Sequence, residues 1–275
     1  MKIIEKFLMA KTGAPEECED IIFVNQWFAA VIDGATARND QRYYGKRTGL
    51  MAAILVQEVF ESLTPKASLE DTLGILERRF MEFYETNNID YEDNSQLLTA
   101  SAVLYSNYYR QVWMIGDCRC RLGGVVHDNP NGIDDFVASA RSFINQAEVL
   151  NGRSLDWIAQ NDPGAEFIRG LLVKQFTFQN SVNKETGTYS YVAIDGRKMQ
   201  VDKVKVLTVA QDTQEIILAS DGYPVLAETL ALSEKALLEM LESDPLCIYC
   251  NKGVKGIKQG FVSYDDRAYL RIIVQ

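Results

Sequence analysis

Apolar runs of four to six residues recur along this chain, and several of them stop at an acidic residue with a flexible or polar neighbour. They are CED at 18–20, VIDGAT at 31–36, MIGDCR at 114–119, LASDG at 218–222 and SYDDRAYLRIIV at 263–274. A run this short and apolar reads as a buried strand, and its acidic end then falls at a sheet rim, where several strand ends converge. Brief polar turns join some of the runs. IIFVNQWFAAVIDG turns about Asn25 and Gln26, and the strands at 97–105 and 111–116 turn about Ser106 to Arg110, which predicts hairpins and antiparallel sheets.

A first strand is expected near 2–10, and further strands in TYSYVAI, KVKVLTV, EIILAS and the closing YLRIIVQ. GLMAAILVQEVFESL at 49–63 is apolar on most sides, so this helix is predicted to be buried between layers. Ser68 caps a second helix, in which Leu69, Leu73, Leu76, Phe80 and Phe83 recur at three- and four-residue steps. From Asp134 to about Ile168 the pattern is again helical, broken at Gly152 and Pro163, and helices near 224–243 precede the last strand. Hairpins with helices entering in pairs do not give the alternation of a parallel sheet. The expected fold is a single α+β domain over 1–275, a four-layer α-β-β-α sandwich of two antiparallel sheets packed face to face with helices outside.

With 275 residues, 47% of them hydrophobic, the chain can bury a real core. A formal charge of −10, from 28 basic against 38 acidic residues, argues against a sequence-independent nucleic-acid binder or an anionic-membrane binder. No apolar run approaches the roughly 18 to 20 residues that cross a bilayer, so a soluble, cytoplasmic protein is expected, of unknown oligomeric state. Five scattered cysteines in a chain of this size are expected as reduced thiols. CIYC at 247–250 lacks the further ligands a zinc site needs and reads as buried free thiols; Cys118 and Cys120 read as core.

Carboxylates gathered at one rim repel each other, and the usual relief is a hard divalent cation, for which oxygen ligands suit magnesium or manganese. In order and spacing the acidic stretches resemble those of the metal-dependent protein phosphatases of type 2C. The matching motifs are Glu19 with Asp20, Asp33 with Gly34, TASAVL leading to GDCR at 116–119, SDG at 220–222, and Asp265-Asp266 before YLRIIV. The resemblance implies two Mn²⁺ or Mg²⁺ ions and a weaker third position. Asp33 would bridge the two, the Gly34 carbonyl would ligate one, and Asp221 and Asp265 would bind the other. Glu19 would act on the Gly34-bound ion through water, Asp20 would orient those ligands by hydrogen bonding, and Asp117 would serve the third position. Asp33, Asp221 and Asp265 would thereby be the catalytic residues, through water activated at the metals. The implied reaction is removal of phosphate from phosphoserine and phosphothreonine in proteins, with no protein nucleophile.

The chain departs from that pattern in three places. Where the family has a phosphate-binding arginine, four residues before Glu19, stands Pro15; Lys11 and Arg38 are the candidates to replace it, although the basic group Arg38, Arg42, Lys46 and Arg47 reads more simply as a solvated helix start. Ala35 and Thr36 replace the His-Gly that often follows Asp-Gly, and Asp266 replaces an asparagine and adds a charge beside Asp265. His127, the single histidine, reads as exposed in a turn-rich loop. Two other readings stay open: a catalytically weak or inactive relative kept as a binding or regulatory module, and a phosphatase of small phosphorylated metabolites. Asp-Gly is also a common hairpin turn that needs φ > 0, which would give Asp33 and Asp221 a purely structural role. IDG at 194–196 is read in that way, as a turn or rim loop.

Overall fold

The computed structural model describes residues 1–35, 41–181 and 189–274. One sheet runs β10 (Lys205–Thr208), β7 (Gln111–Ile115), β6 (Ala100–Ser106), β3 (Phe28–Gly34), β2 (Asp20–Val24). The other runs β1 (Lys2–Met9), β12 (Arg267–Ile273), β11 (Glu215–Ala219), β8 (Arg119–Leu122), β9 (Val125–His127). All neighbours in both sheets pair antiparallel, as the polar turns predict. β4 (Arg42–Tyr43) and β5 (Lys46–Arg47) make a small separate ribbon.

The two-residue period of the strands sorts side chains into layers. On β3, Ala29 and Val31 face the second sheet and, with Val103 and Met114 of their own sheet, pack with its Ile216, Leu218, Ala268 and Leu270. Ala30 and Ile32 face the other way, against Ala52, Leu55, Val56 and Phe60. Those last residues belong to α1 (Thr48–Ser62), which lies between this sheet and α2 (Leu69–Thr86), the position its nearly uniform apolarity predicts. Ser68 caps α2 as expected: its hydroxyl accepts from the Asp71 amide at 3.1 Å and its own amide donates to the Asp71 carboxylate at 3.3 Å. On the outer face of the second sheet, Tyr223, Leu226 and Leu230 cover Ile217, Ala219 and Tyr269, with Leu230 opening α6 (Leu230–Ser243). The α+β sandwich of two antiparallel sheets stands.

The helical stretch after 131 divides into α3 (Gly132–Leu150), α4 (Leu155–Asn161) and α5 (Pro163–Gln175), with breaks at the predicted glycine and proline. α3 packs on α5 through Ile133, Val137 and Ile168. No helix among the described residues is long and apolar enough to cross a membrane.

Several expectations are corrected. TYSYVAI forms no strand among its described residues; Tyr191 and Ile194 make only isolated bridges, to Gln179 and Ala100. Val192, Ala193 and Ile194 are buried without a ladder, so an apolar run here marks core and not strand. His127 is half-buried in β9, opposite Cys120, and not in an exposed loop. In CIYC, Cys247 is buried but Cys250 is exposed. Cys118 and Cys120 lie in the core between the sheets, as expected.

Candidate metal and phosphate site

The inward-facing rows that build the core between the sheets turn polar at one end. Counting back by twos from Ile22 on β2 reaches Asp20, and forward from Val31 on β3 reaches Asp33, which pairs with Asp20 across the ladder. Forward from Leu218 on β11 the row reaches Ser220, and back from Ala268 on β12 it reaches Asp266. One structural rule, alternation, therefore places residues from four strands at the same rim.

Beyond that rim lies a cleft of about 640 Å³. Asp33, Asp117, Asp221 and Asp265 line it together, with Arg119 and Lys255, and its far wall includes Asp134 and Ala138 of α3 and Gln175 of α5. Glu19 and Asp20 sit behind the lining, 1% and 2% exposed. Asp20 accepts from the Ser220 hydroxyl at 2.7 Å, and that hydroxyl accepts in turn from the Ala268 amide at 2.8 Å. Asp266, 3% exposed, has both carboxylate oxygens engaged, by the Lys11 amide at 2.8 Å and the Glu19 amide at 2.9 Å. It faces inward as a tie between distant segments, while its neighbour Asp265 faces the cleft.

Asp33 lies within a strand, opposite Ser101, and not in a turn. Gly34 and Gly222 are glycines for want of space: a Cβ on Gly34 would stand 2.1 Å from the Gly49 carbonyl oxygen, and one on Gly222 2.0 Å from that of Asp266. Neither has the positive φ of a hairpin Asp-Gly, whereas Gly196 of the third Asp-Gly does, at +87°. The hairpin explanation thus fails at the two positions within the acidic cluster. At the third, Asp195 is fully buried rather than at a rim, and accepts from Gln179 at 2.6 Å, Asn180 at 2.7 Å and the Arg197 amide at 2.9 Å. A Gly34→Ala change should push α1 away from β3 and destabilise the fold by about 3 kcal/mol, read as a drop in the urea midpoint.

Like charges and burial act together on these groups. Burial first, then Asp20, Asp221 and Asp117, holds the Asp33 carboxyl well above the usual carboxylate range. Burial, Asp265 and Asp117 push Asp221 up to about 7, against a hydrogen bond between it and Asp33. Burial would also raise Asp265, but the ammoniums of Lys255 and Lys11 outweigh it and hold that carboxyl below its ordinary value. Lys255 Nζ stands 2.5 Å from Asp265, and Lys11 Nζ stands 3.5 Å from Asp265, 3.5 Å from Glu19 and 3.6 Å from Asp266.

These charges decide how a divalent cation fits. Among the described residues no three carboxylate, thiol or imidazole groups already enclose one point as a metal cage. Asp33, Asp117 and Asp221 nonetheless face one cleft with oxygen donors only, two of them held against their ionisation, and a hard cation there would relieve that repulsion. The corner of Glu19, Asp265 and Asp266 already has an ammonium among its carboxylates.

Of the residues proposed to bind phosphate, Lys11 is only 7% exposed, and Arg38 lies outside the described residues. Lys255 has no place in the sequence reading. Its only signal is the lysine-glycine alternation NKGVKGIKQG at 251–260, which carries no helical or strand period.

No family model and no curated protein matches the chain. Among solved structures it is similar to the serine/threonine phosphatase Stp1 from Staphylococcus aureus, at 14% identity and TM-score 0.49, over 100% of this chain and 96% of that one. The Mycobacterium tuberculosis serine/threonine phosphatase PstP aligns at 13% identity and TM-score 0.48, over 98% of each chain. RsbX, solved with magnesium, aligns at 12% identity and TM-score 0.44, over 98% of this chain and 94% of that one. Likenesses this distant assign no role to a side chain.

Proposed function

We propose that this chain is a metal-dependent phosphomonoesterase that removes phosphate from phosphoserine and phosphothreonine in proteins. The observation that carries the reading is the convergence of Asp33, Asp117, Asp221 and Asp265 on one cleft, with the Asp33 and Asp221 carboxyls raised above their usual range by burial and then by the neighbouring carboxylates. Magnesium or manganese at such oxygen donors supplies Lewis acidity and activates water for attack on phosphorus. Asp33, Asp117 and Asp221 would hold the ion. Asp20, fixed by Ser220, braces the strand that presents Asp33 across the ladder.

The chain's own cations do the remaining work. Lys255, a third exposed on the cleft wall, is placed to meet a phosphate oxygen and so stands for the absent arginine. Lys255→Met should raise KM for a phosphorylated substrate roughly tenfold or more, the value of one charge-assisted hydrogen bond, with a smaller change in kcat. An unchanged KM would remove it from phosphate binding.

The test of the reading itself is phosphate release from p-nitrophenyl phosphate and from a phosphothreonine peptide with Mn²⁺ or Mg²⁺. Turnover that EDTA stops supports it. Folded protein without turnover under any divalent cation overturns it in favour of a second reading, a binding module. The lysine ammoniums already seated on Asp265 favour that second reading. Peptide competition against the small ester separates a phosphoprotein substrate from a phosphorylated metabolite.

A further inference from the structure

We propose that Lys11 is a built-in cation of the acidic rim, so that the protein binds one divalent cation fewer than its carboxylates alone would take. The inference deepens the metal-dependent reading above and rests on it.

The Lys11 ammonium lies nearly equidistant from three carboxylates on two segments: 3.5 Å from Glu19, 3.5 Å from Asp265 and 3.6 Å from Asp266. A lysine near a surface ordinarily extends its charged end to water. Here the residue is 7% exposed, and both its backbone N–H and its C=O are fastened. The Lys11 amide donates to Asp266 at 2.8 Å, and its carbonyl accepts from the Val262 amide at 2.9 Å. The segment that brings Asp265 and Asp266 to the rim is thus the one that fixes Lys11.

A second observation points to a cation at this corner. Both carboxylate oxygens of Glu19 are buried without a hydrogen-bond donor, in a residue 1% exposed, and one of them, Oε2, stands 3.5 Å from the Lys11 ammonium. Buried carboxylate oxygens need compensating charge or donors. A lysine supplies one charge from a compact head group that accepts no ligand exchange. A divalent ion in the same corner would have to expel it. Asp33 and Asp221 line the cleft, where their oxygens would serve a bound ion.

The experiment is Mn²⁺ binding to the full chain, by equilibrium dialysis with metal analysis and by electron paramagnetic resonance of the loaded protein. Wild type should show the spectrum of isolated Mn²⁺, and Lys11→Met and Lys11→Gln should each bind one Mn²⁺ per chain more than wild type, with new spin coupling between neighbouring ions. Lys11→Arg should keep the wild-type number. A spin-coupled dimanganese spectrum in wild type overturns the proposal even if the variants do not fold. Equal stoichiometry in wild type and in folded Lys11→Met overturns it while leaving the metal-dependent reading intact. Absence of Mn²⁺ from both overturns both. A gain in Lys11→Met from zero in wild type removes the metal-dependent reading of the natural chain and overturns the proposal that rests on it.

Discussion

Asp33→Asn should abolish metal-dependent hydrolysis, by roughly 10³-fold or more, and at the same time make the metal-stripped protein more stable. The first effect follows, on the proposed function, from loss of an anionic oxygen where the cation would be held, a contribution of several kcal/mol to the barrier. The second follows from the crowding of carboxylates. Asp33 is held above the usual carboxylate range by burial, Asp20, Asp221 and Asp117, so its ionisation opposes folding. Asparagine keeps the volume and removes the charge. At pH 8 in EDTA a gain of about 1–2 kcal/mol is expected, or roughly 3–6 °C in melting temperature. A variant that melts lower than wild type in EDTA would mean that Asp33 is structural.

The same electrostatics set a pH window. A carboxyl whose folded pKa exceeds its unfolded value contributes stability below the unfolded value and loses it as pH rises through the folded one. For Asp221 that range runs from its ordinary 3.8 to about 7, so the metal-stripped protein should lose stability across it. Asp265 has the opposite sign, its carboxyl being held down by the lysines against burial, so its contribution persists until pH falls below the ordinary range. Divalent cations should restore most of the stability lost above neutrality.

Arg141→Met should cost about 3 kcal/mol, seen in chemical denaturation, because it leaves several carbonyls without their donor and the half-buried Asp162 without its ion-pair partner. Arg141 is 1% exposed on α3. Its guanidinium donates to Asp162 at 2.7 Å and to the carbonyls of Leu246 at 3.0 Å and Gly253 at 2.9 Å. It therefore clamps the turn from 246 to 253 against α3, a turn that Asp244 also winds by accepting from the amides of Ile248 at 3.0 Å and Tyr249 at 2.7 Å. Two residues beyond that clamp is Lys255. Where the variant still folds, hydrogen exchange should quicken selectively at 246–256. Unchanged exchange there would show that the clamp does not govern the loop.

What the sequence made legible follows period. α1 and the paired strands on either side of Asn25 declared themselves because each buries residues at the spacing of its own element. Asp33 and Asp221 were legible because they end such runs. β8 and β9, of four and three residues, are too short to show a period. The run at 192–194 is buried without forming a ladder, since Asn180 takes the amide of Ala193 at 3.1 Å and donates to its carbonyl at 2.7 Å. Lys255 sits in a loop whose lysine-glycine alternation follows neither the helical nor the strand period. Arg141 had a usable signal: it continues the row Ile133, Val137 on α3, a charge where a core residue belongs.

Asp266 joins residues 11 and 19 across a span of more than two hundred positions, and β1 pairs with β12 along its length. During synthesis, which runs from residue 1 onward, β2, β3, β6 and β7 can pair long before residue 266 emerges, whereas the acidic rim cannot close. A chain stalled before that point would expose an unpaired β1 and an unfinished rim together. The acidic rim thus closes only once residues 265–273 are in place, and pairing of β1 waits on the same stretch.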